Sequence, residues 1–422
     1  MTTSPSLPPS PTRHYPSVFR AFQNPVYRVL WPAGLFFYST RWMQLILLGV
    51  FVFNRTDSAF SVALVGFFLT IPLFILGPFG GLLADSRHRQ NILRVTQGLN
   101  AAVVITMTVF LNLTDVSYWW AYLVALAVGT SWAFENPTRR SIMLDLHGRA
   151  GMVNALALES AAMNASRMAG PALAGLLIEL IDVRGAYVVV SILALIAAAT
   201  FWFLDLKLQP REPSIKQSTW RNLIEGVNYV RKDRTIMAVI FITVIMNLFL
   251  FPYMQIMPVI AVDVLQIDYG RMGLLQAVDG FGALIGAVLV AAFAIGIRRH
   301  GWVFVGGAAL SLSMLLLFTF SRWFGPSLPI LLVLGLGTAG FSTMQATIVM
   351  LVAREDMRGR ALGIISLAIG TGPFGALLIG SIADAVNPTF ALRLNALIAL
   401  GLIALVWVFM RGIRQPTEPL ES

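Results

Sequence analysis

Apolar runs of about twenty residues, separated by short polar and basic stretches, occupy nearly the whole 422-residue chain. A helix crossing a bilayer needs about 20 apolar residues. The runs predict helices over 26–53, 59–84, 91–112, 117–138, 151–181, 185–204, 235–262, 271–297, 301–320, 327–350, 360–384 and 388–410. The ten-residue alternating segments of membrane strands are absent, and lipid offers an open backbone no partner. The expected fold is therefore an all-α membrane protein of twelve transmembrane helices. From Pro210 to Asp233 the apolar pattern breaks, and Trp220, Leu223, Ile224, Val227 and Val230 recur at helical spacing among charges. That spacing predicts an amphipathic helix on the membrane surface. The chain then divides into a disordered tail over 1–24, six-helix bundles over 25–205 and 235–411, a linker over 206–234 and a second tail over 412–422.

Composition strengthens this reading, because 57% hydrophobic and 12% charged residues cannot clothe several soluble domains. The net charge of +10 is placed by topology. Of the 30 Lys and Arg, Arg55, Arg184, Arg271, Arg322 and Arg393 fall on one side and Arg41 and Arg167 lie within spans, which leaves 23 on the side of the termini. Such asymmetry puts both termini and the linker in the cytoplasm and argues against a nucleic-acid partner. The chain has no cysteine, which excludes disulfides and thiolate metal sites. The first sixteen residues carry no apolar core and read as a tail, not a signal peptide.

Small residues recur with a longer period. Gly77-Pro78-Phe79-Gly80 returns as Gly372-Pro373-Phe374-Gly375, with Gly170-Pro171-Ala172-Leu173-Ala174-Gly175 and Gly280 to Gly286 between them. These fall in helices 2, 5, 8 and 11, so a three-helix unit repeats four times with alternate copies inverted. Small residues there let helices approach closely.

Ionisable residues within the spans are the candidates for chemistry, since charge at membrane depth is costly. Arg41 either faces a cavity or snorkels outward. Glu159 and Arg167 share one stripe of helix 5 at i and i+8, too far apart to pair with each other. Asp279, about 12 Å into helix 8, lies near the depth of Arg167. Desolvated carboxylates can exchange protons near neutral pH, so Glu159, Asp279 and Arg167 are proton-coupling candidates, with a purely structural lock as the other reading for Asp279. Asp85, Arg87, Arg89 and Glu135 are expected to meet at the cytoplasmic surface as a gate; solvated surface charge is the alternative. Cavity candidates are Arg41, Gln44, Asn247, Gln255, Met344 and Gln345. No nucleotide-binding, HExxH, GxSxG or CxxC pattern is present, which points away from an enzyme and from any metal or cofactor.

Over nearly its whole length the chain resembles the major facilitator superfamily. Gly81-Leu82-Leu83-Ala84-Asp85-Ser86-Arg87-His88-Arg89 is similar to that family's signature between helices 2 and 3, with Ser86 where Arg or Lys is usual. Arg41-Trp42-Met43-Gln44, Phe134-Glu135-Asn136-Pro137, Asn154-Ala155-Leu156, Arg167-Met168-Ala169-Gly170-Pro171, Met257-Pro258-Val259 and Arg358-Gly359-Arg360 resemble the bacterial secretion-effector branch with enterobactin-exporter-like members. Gly170, Pro171 and Gly175 resemble the helix 5 motif of antiporter-type exporters, although Ala174 replaces one expected Gly. The resemblance implies a monomeric exporter of small amphiphilic molecules in the bacterial inner membrane, working by alternating access and proton antiport. It gives Glu159 and Asp279 no role, but the architecture it implies places helices 5 and 8 side by side, so that Arg167 and Asp279, at similar depths, are expected to pair. A lysophospholipid or other lipid flippase without obligatory proton coupling is the alternative.

Overall fold

The structure is a computed structural model, and it describes residues 17–84, 89–203, 219–293, 299–355 and 357–416. Every regular element among these residues is helical. Helix α1 spans Pro25–Thr56, and Asn24 caps it by accepting the Val26 N–H at 2.9 Å. Pro25 is at ease in the first turn, where its missing N–H has no intrahelical partner to lose. Helix α2 spans Ala59–Ala84 and α3 spans Arg89–Leu113. The helical stretch Trp119–Phe203 breaks at Gly148 (φ 64, ψ −179) and Asp182 (φ 63, ψ 171) into α4 (119–147), α5 (149–181) and α6 (183–203). That backbone region is nearly closed to residues with a Cβ. Gly148 adopts it freely, whereas Asp182 is held by its own carboxylate, which accepts the Val183 N–H at 2.6 Å.

A helix over Thr219–Val230 lies in the linker; it buries Val230 and exposes Ile224, and its Glu225 bridges to Arg360 at 3.1 Å. Beyond it, α7 is not the continuous rod the sequence predicts. Regular helix over Arg234–Ile245 widens to a π turn at Met246–Leu250, tightens over Phe251–Met254 and resumes at Met257–Val259. Pro252 and Pro258 remove two ladder donors, and this is the physical cause. Then follow α8 (Tyr269–Phe293), α9 (His300–Phe318), α10 (Phe324–Val352), α11 and α12 (Pro388–Phe409). Helix α11 is also broken: Arg358–Ile369 and Gly372–Ala385 meet at Gly370-Thr371, just before Pro373.

Ten stretches among the described residues are long and apolar enough to cross a membrane, and one of these, Asn154–Phe203, contains the Asp182 break. Helices α1–α6 pack together, as Thr108 with Ser191 between α3 and α6 illustrates at 2.6 Å. Helices α7–α12 do likewise, with Ser311 of α9 bonded to the Leu334 carbonyl of α10. The two sets meet most closely toward the end remote from the termini, here called the far end. There Tyr269 donates to Asn54 at 2.6 Å and Ser58 to Asp384 at 2.9 Å. Between α5 and α8, a Cβ added to Gly175 would collide with the Tyr269 carbonyl oxygen, and one added to Gly273 with that of Pro171. The backbones therefore touch, as small residues permit.

Candidate functional site

Three charged residues are buried together within α1–α6. Arg139 donates from Nε to Glu159 Oε1 at 2.6 Å and lies 3.7 Å from Glu135. The Tyr38 hydroxyl donates to the same Glu159 oxygen. Glu135 accepts from Gln97 Nε2 at 2.6 and 2.7 Å and from Thr96 at 3.4 Å. Arg139 also donates to the Leu30 carbonyl at 3.2 Å, and its guanidinium fills the notch at Gly34, where a Cβ would overlap it. Arg139 thus serves two carboxylates. Glu135 is fully buried, and Glu159 is 8% exposed.

This arrangement departs from the expected gate. Glu135 is not at the surface with Arg89: its partners are Gln97, Thr96 and Arg139, while Arg89 pairs with Asp145. Asp85 and Arg87 lie outside the described residues. The apolar run predicts that helix 4 stops near 138, just short of Arg139. In the structure the helix runs through Pro137, since the next turns place Arg139, Ile142 and Met143 in the interior. Burial outweighs one lost backbone bond. The signal that would have found Arg139 is its i, i+4 spacing from Glu135.

Toward the far end, Arg167 Nη2 and Asp279 Oδ2 are 2.9 Å apart, joining α5 to α8. Asp279 is fully buried. Gly170, one turn beyond Arg167, packs on Trp42 of α1, and Pro171 and Gly175 make the contact with α8 already described. The antiporter-like stretch is therefore the packing seam that carries this ion pair.

A cavity of about 240 Å³ lies between the two sets, lined by residues of α1, α2, α4, α7 and α11. Arg41, Asn247 and Gln255 contribute its polar groups, and Trp132, Phe251 and Pro252 are among its apolar walls. The Arg41 guanidinium stacks 4.3 Å over Trp132. The other three cavity candidates are engaged elsewhere. Gln44 accepts the Tyr187 hydroxyl at 3.0 Å beside α6, Gln345 donates to Thr243 of α7 at 2.7 Å, and Met344 is core. Trp132, which periodicity alone could not separate from packing, is a lining residue. It also touches Tyr38, with ring centroids 5.7 Å apart, so aromatic contact runs from the cavity to Glu159.

Comparison with known proteins identifies the family and the fold. Residues 16–419 match the family described as transmembrane secretion effector. The chain is 23% identical over 363 residues to the staphyloferrin A transporter of Staphylococcus aureus, covering 81% of this chain and 86% of the relative. It is 22% identical over 364 residues to macrolide efflux protein A of Streptococcus pyogenes, covering 83% and 88%. Its fold resembles the inward-facing, unoccupied structure of a bacterial homolog of the human lysosomal transporter Spinster, with a TM-score of 0.71, 15% identity and coverage of 92% and 97%.

Proposed function

Since the chain belongs to the transmembrane secretion effector family within the major facilitator superfamily, we propose that it is a secondary exporter of small amphiphilic molecules. It works by alternating access with proton antiport. The observation that carries this reading is the cavity between α1–α6 and α7–α12, lying behind a far end closed by the α5–α8 seam and the Arg167–Asp279 bridge. Helices α1–α12 are read as twelve crossings in two six-helix bundles, each of two inverted three-helix units. The pairing of α5 with α8 and of α2 with α11, where Gly380 abuts Ala63, supports this, because all four are second helices of their units.

With the termini cytoplasmic, as the positive-inside rule favours, the closed end is the outer one and the protein sits in a bacterial inner membrane. Cargo enters the cavity from inside. The bundles then rock, and the outer contacts part. They are few and non-covalent, as a reversible gate requires. Glu159 is the preferred proton carrier: it keeps slight exposure, unlike Glu135, and Tyr38 and Trp132 connect it to the cavity. Protonation frees it from Arg139, and a proton carried inward returns the empty transporter.

Purified protein in liposomes carrying an internal pH dye tests the function. A panel of siderophores, macrolides, dyes and lysophospholipids should contain compounds whose downhill movement drives an opposing proton flux. Transport that proceeds with no proton movement and is indifferent to a protonophore would instead favour the uncoupled lipid reading.

A further inference from the structure

The arginines buried in the bundle are not treated alike. Arg139 is bonded to Glu159, and Arg167 is bonded to Asp279. Arg41 makes no ion pair among the described residues, and its buried Nη1 has no hydrogen-bond partner. Among the described residues it is also the only ionisable side chain lining the central cavity. Glu159, the carboxylate reached through Trp132 and Tyr38, is already bonded to Arg139 and is not free to neutralise it.

We infer that the central cavity binds an amphiphile bearing a single carboxylate-type anion, which pairs with Arg41 while its flat apolar body lies among Trp132, Phe251 and Pro252. This deepens the exporter reading and rests on it. An unpaired cation at membrane depth is costly, and Trp132 offers a π face but no lone pair in the guanidinium plane. A guanidinium presents parallel N–H donors that match a carboxylate edge to edge. Gln255 and Asn247 add neutral amides on the opposite wall, from α7. Among the described residues no Asp or Glu lines the cavity to attract an organic cation or to repel an anion. Export of a monoanion also runs with the inside-negative membrane potential, whereas export of a cation runs against it.

Matched probes read the charge preference directly. The full chain in lipid nanodiscs is titrated with tritiated 1-naphthylacetate, and unlabelled 1-naphthylacetamide and 1-naphthylmethylammonium compete for the site. The carboxylate should bind about tenfold or more tighter than either competitor, as expected for a hydrogen-bonded charge. Arg41→Gln should bring carboxylate and amide within about twofold of each other. Arg41→Lys, which keeps the charge and loses the fork, should retain part of the preference and guards against a folding failure of the glutamine variant. Equal binding of the three probes, preference for the ammonium, no saturable carboxylate binding, or a full preference surviving Arg41→Gln each overturns the inference. The two readings fail separately. A carboxylate preference without transport in liposomes sinks the exporter, and proton-coupled transport without that preference sinks only the anion.

Discussion

Arg139 is the cation beside both carboxylates, so its removal leaves Glu159 and Glu135 buried with only neutral donors among the described residues. Breaking a buried pair from one side costs about 3–5 kcal/mol. Arg139→Met is therefore expected to lower the melting temperature of the purified protein sharply, which thermal unfolding in detergent would register. Glu159→Gln is gentler. Its amide oxygen still accepts from Tyr38 and Arg139, so the variant should fold while losing the substrate-driven proton flux by about tenfold or more, the scale of one essential proton carrier. Normal proton flux in that variant would remove Glu159 from the mechanism.

Among the elements, the α5–α8 seam is the one expected to govern closure of the far end. Gly273 sits where any side chain would strike the Pro171 carbonyl. Gly273→Val should hold these helices apart, and a cysteine introduced at Asn54 should then react faster with an impermeant thiol reagent applied from outside. Unchanged labelling would mean that the seam does not set the gate. The Arg167–Asp279 bridge belongs to the same seam. Each single substitution, Arg167→Asp or Asp279→Arg, leaves like charges facing each other, and the double swap should recover more transport than either. A double variant no better than the worse single one would deny the pair a role in closure. Helix α7 shows a different economy, in which Pro252 and Pro258 give up regular hydrogen bonding and leave Gln255 at a break, lying against Gly66 of α2.

For the whole molecule the sharpest expectation is topological. A cysteine placed at Ser218 should resist an impermeant reagent in intact cells and label once the membrane is opened. Labelling in intact cells would invert the molecule and exchange the identities of the two ends. The cavity would then face outward behind a closed cytoplasmic end, and cargo would enter from the wrong side for export.

Hydrophobic periodicity by itself determined the helical class, and nearly every span lies within a few residues of its predicted limits. Lipid allows few alternatives to an apolar helix, so local composition is enough. The pairing of Arg167 with Asp279 was also legible, because both are isolated charges at similar depth in helices that the family resemblance sets side by side. The second charge cluster was not. The apolar run ends near 138, and only packing around Ile142 and Met143 shows that α4 continues and carries Arg139 inward. Nor does an amphipathic stripe tell which polar side chains meet a partner and which meet space. Gln44 and Gln345 looked as open as Arg41, yet Tyr187 and Thr243 engage the first two and leave Arg41 facing the cavity. Those distinctions depend on residues a hundred or more positions away, and only the tertiary fold brings them within reach.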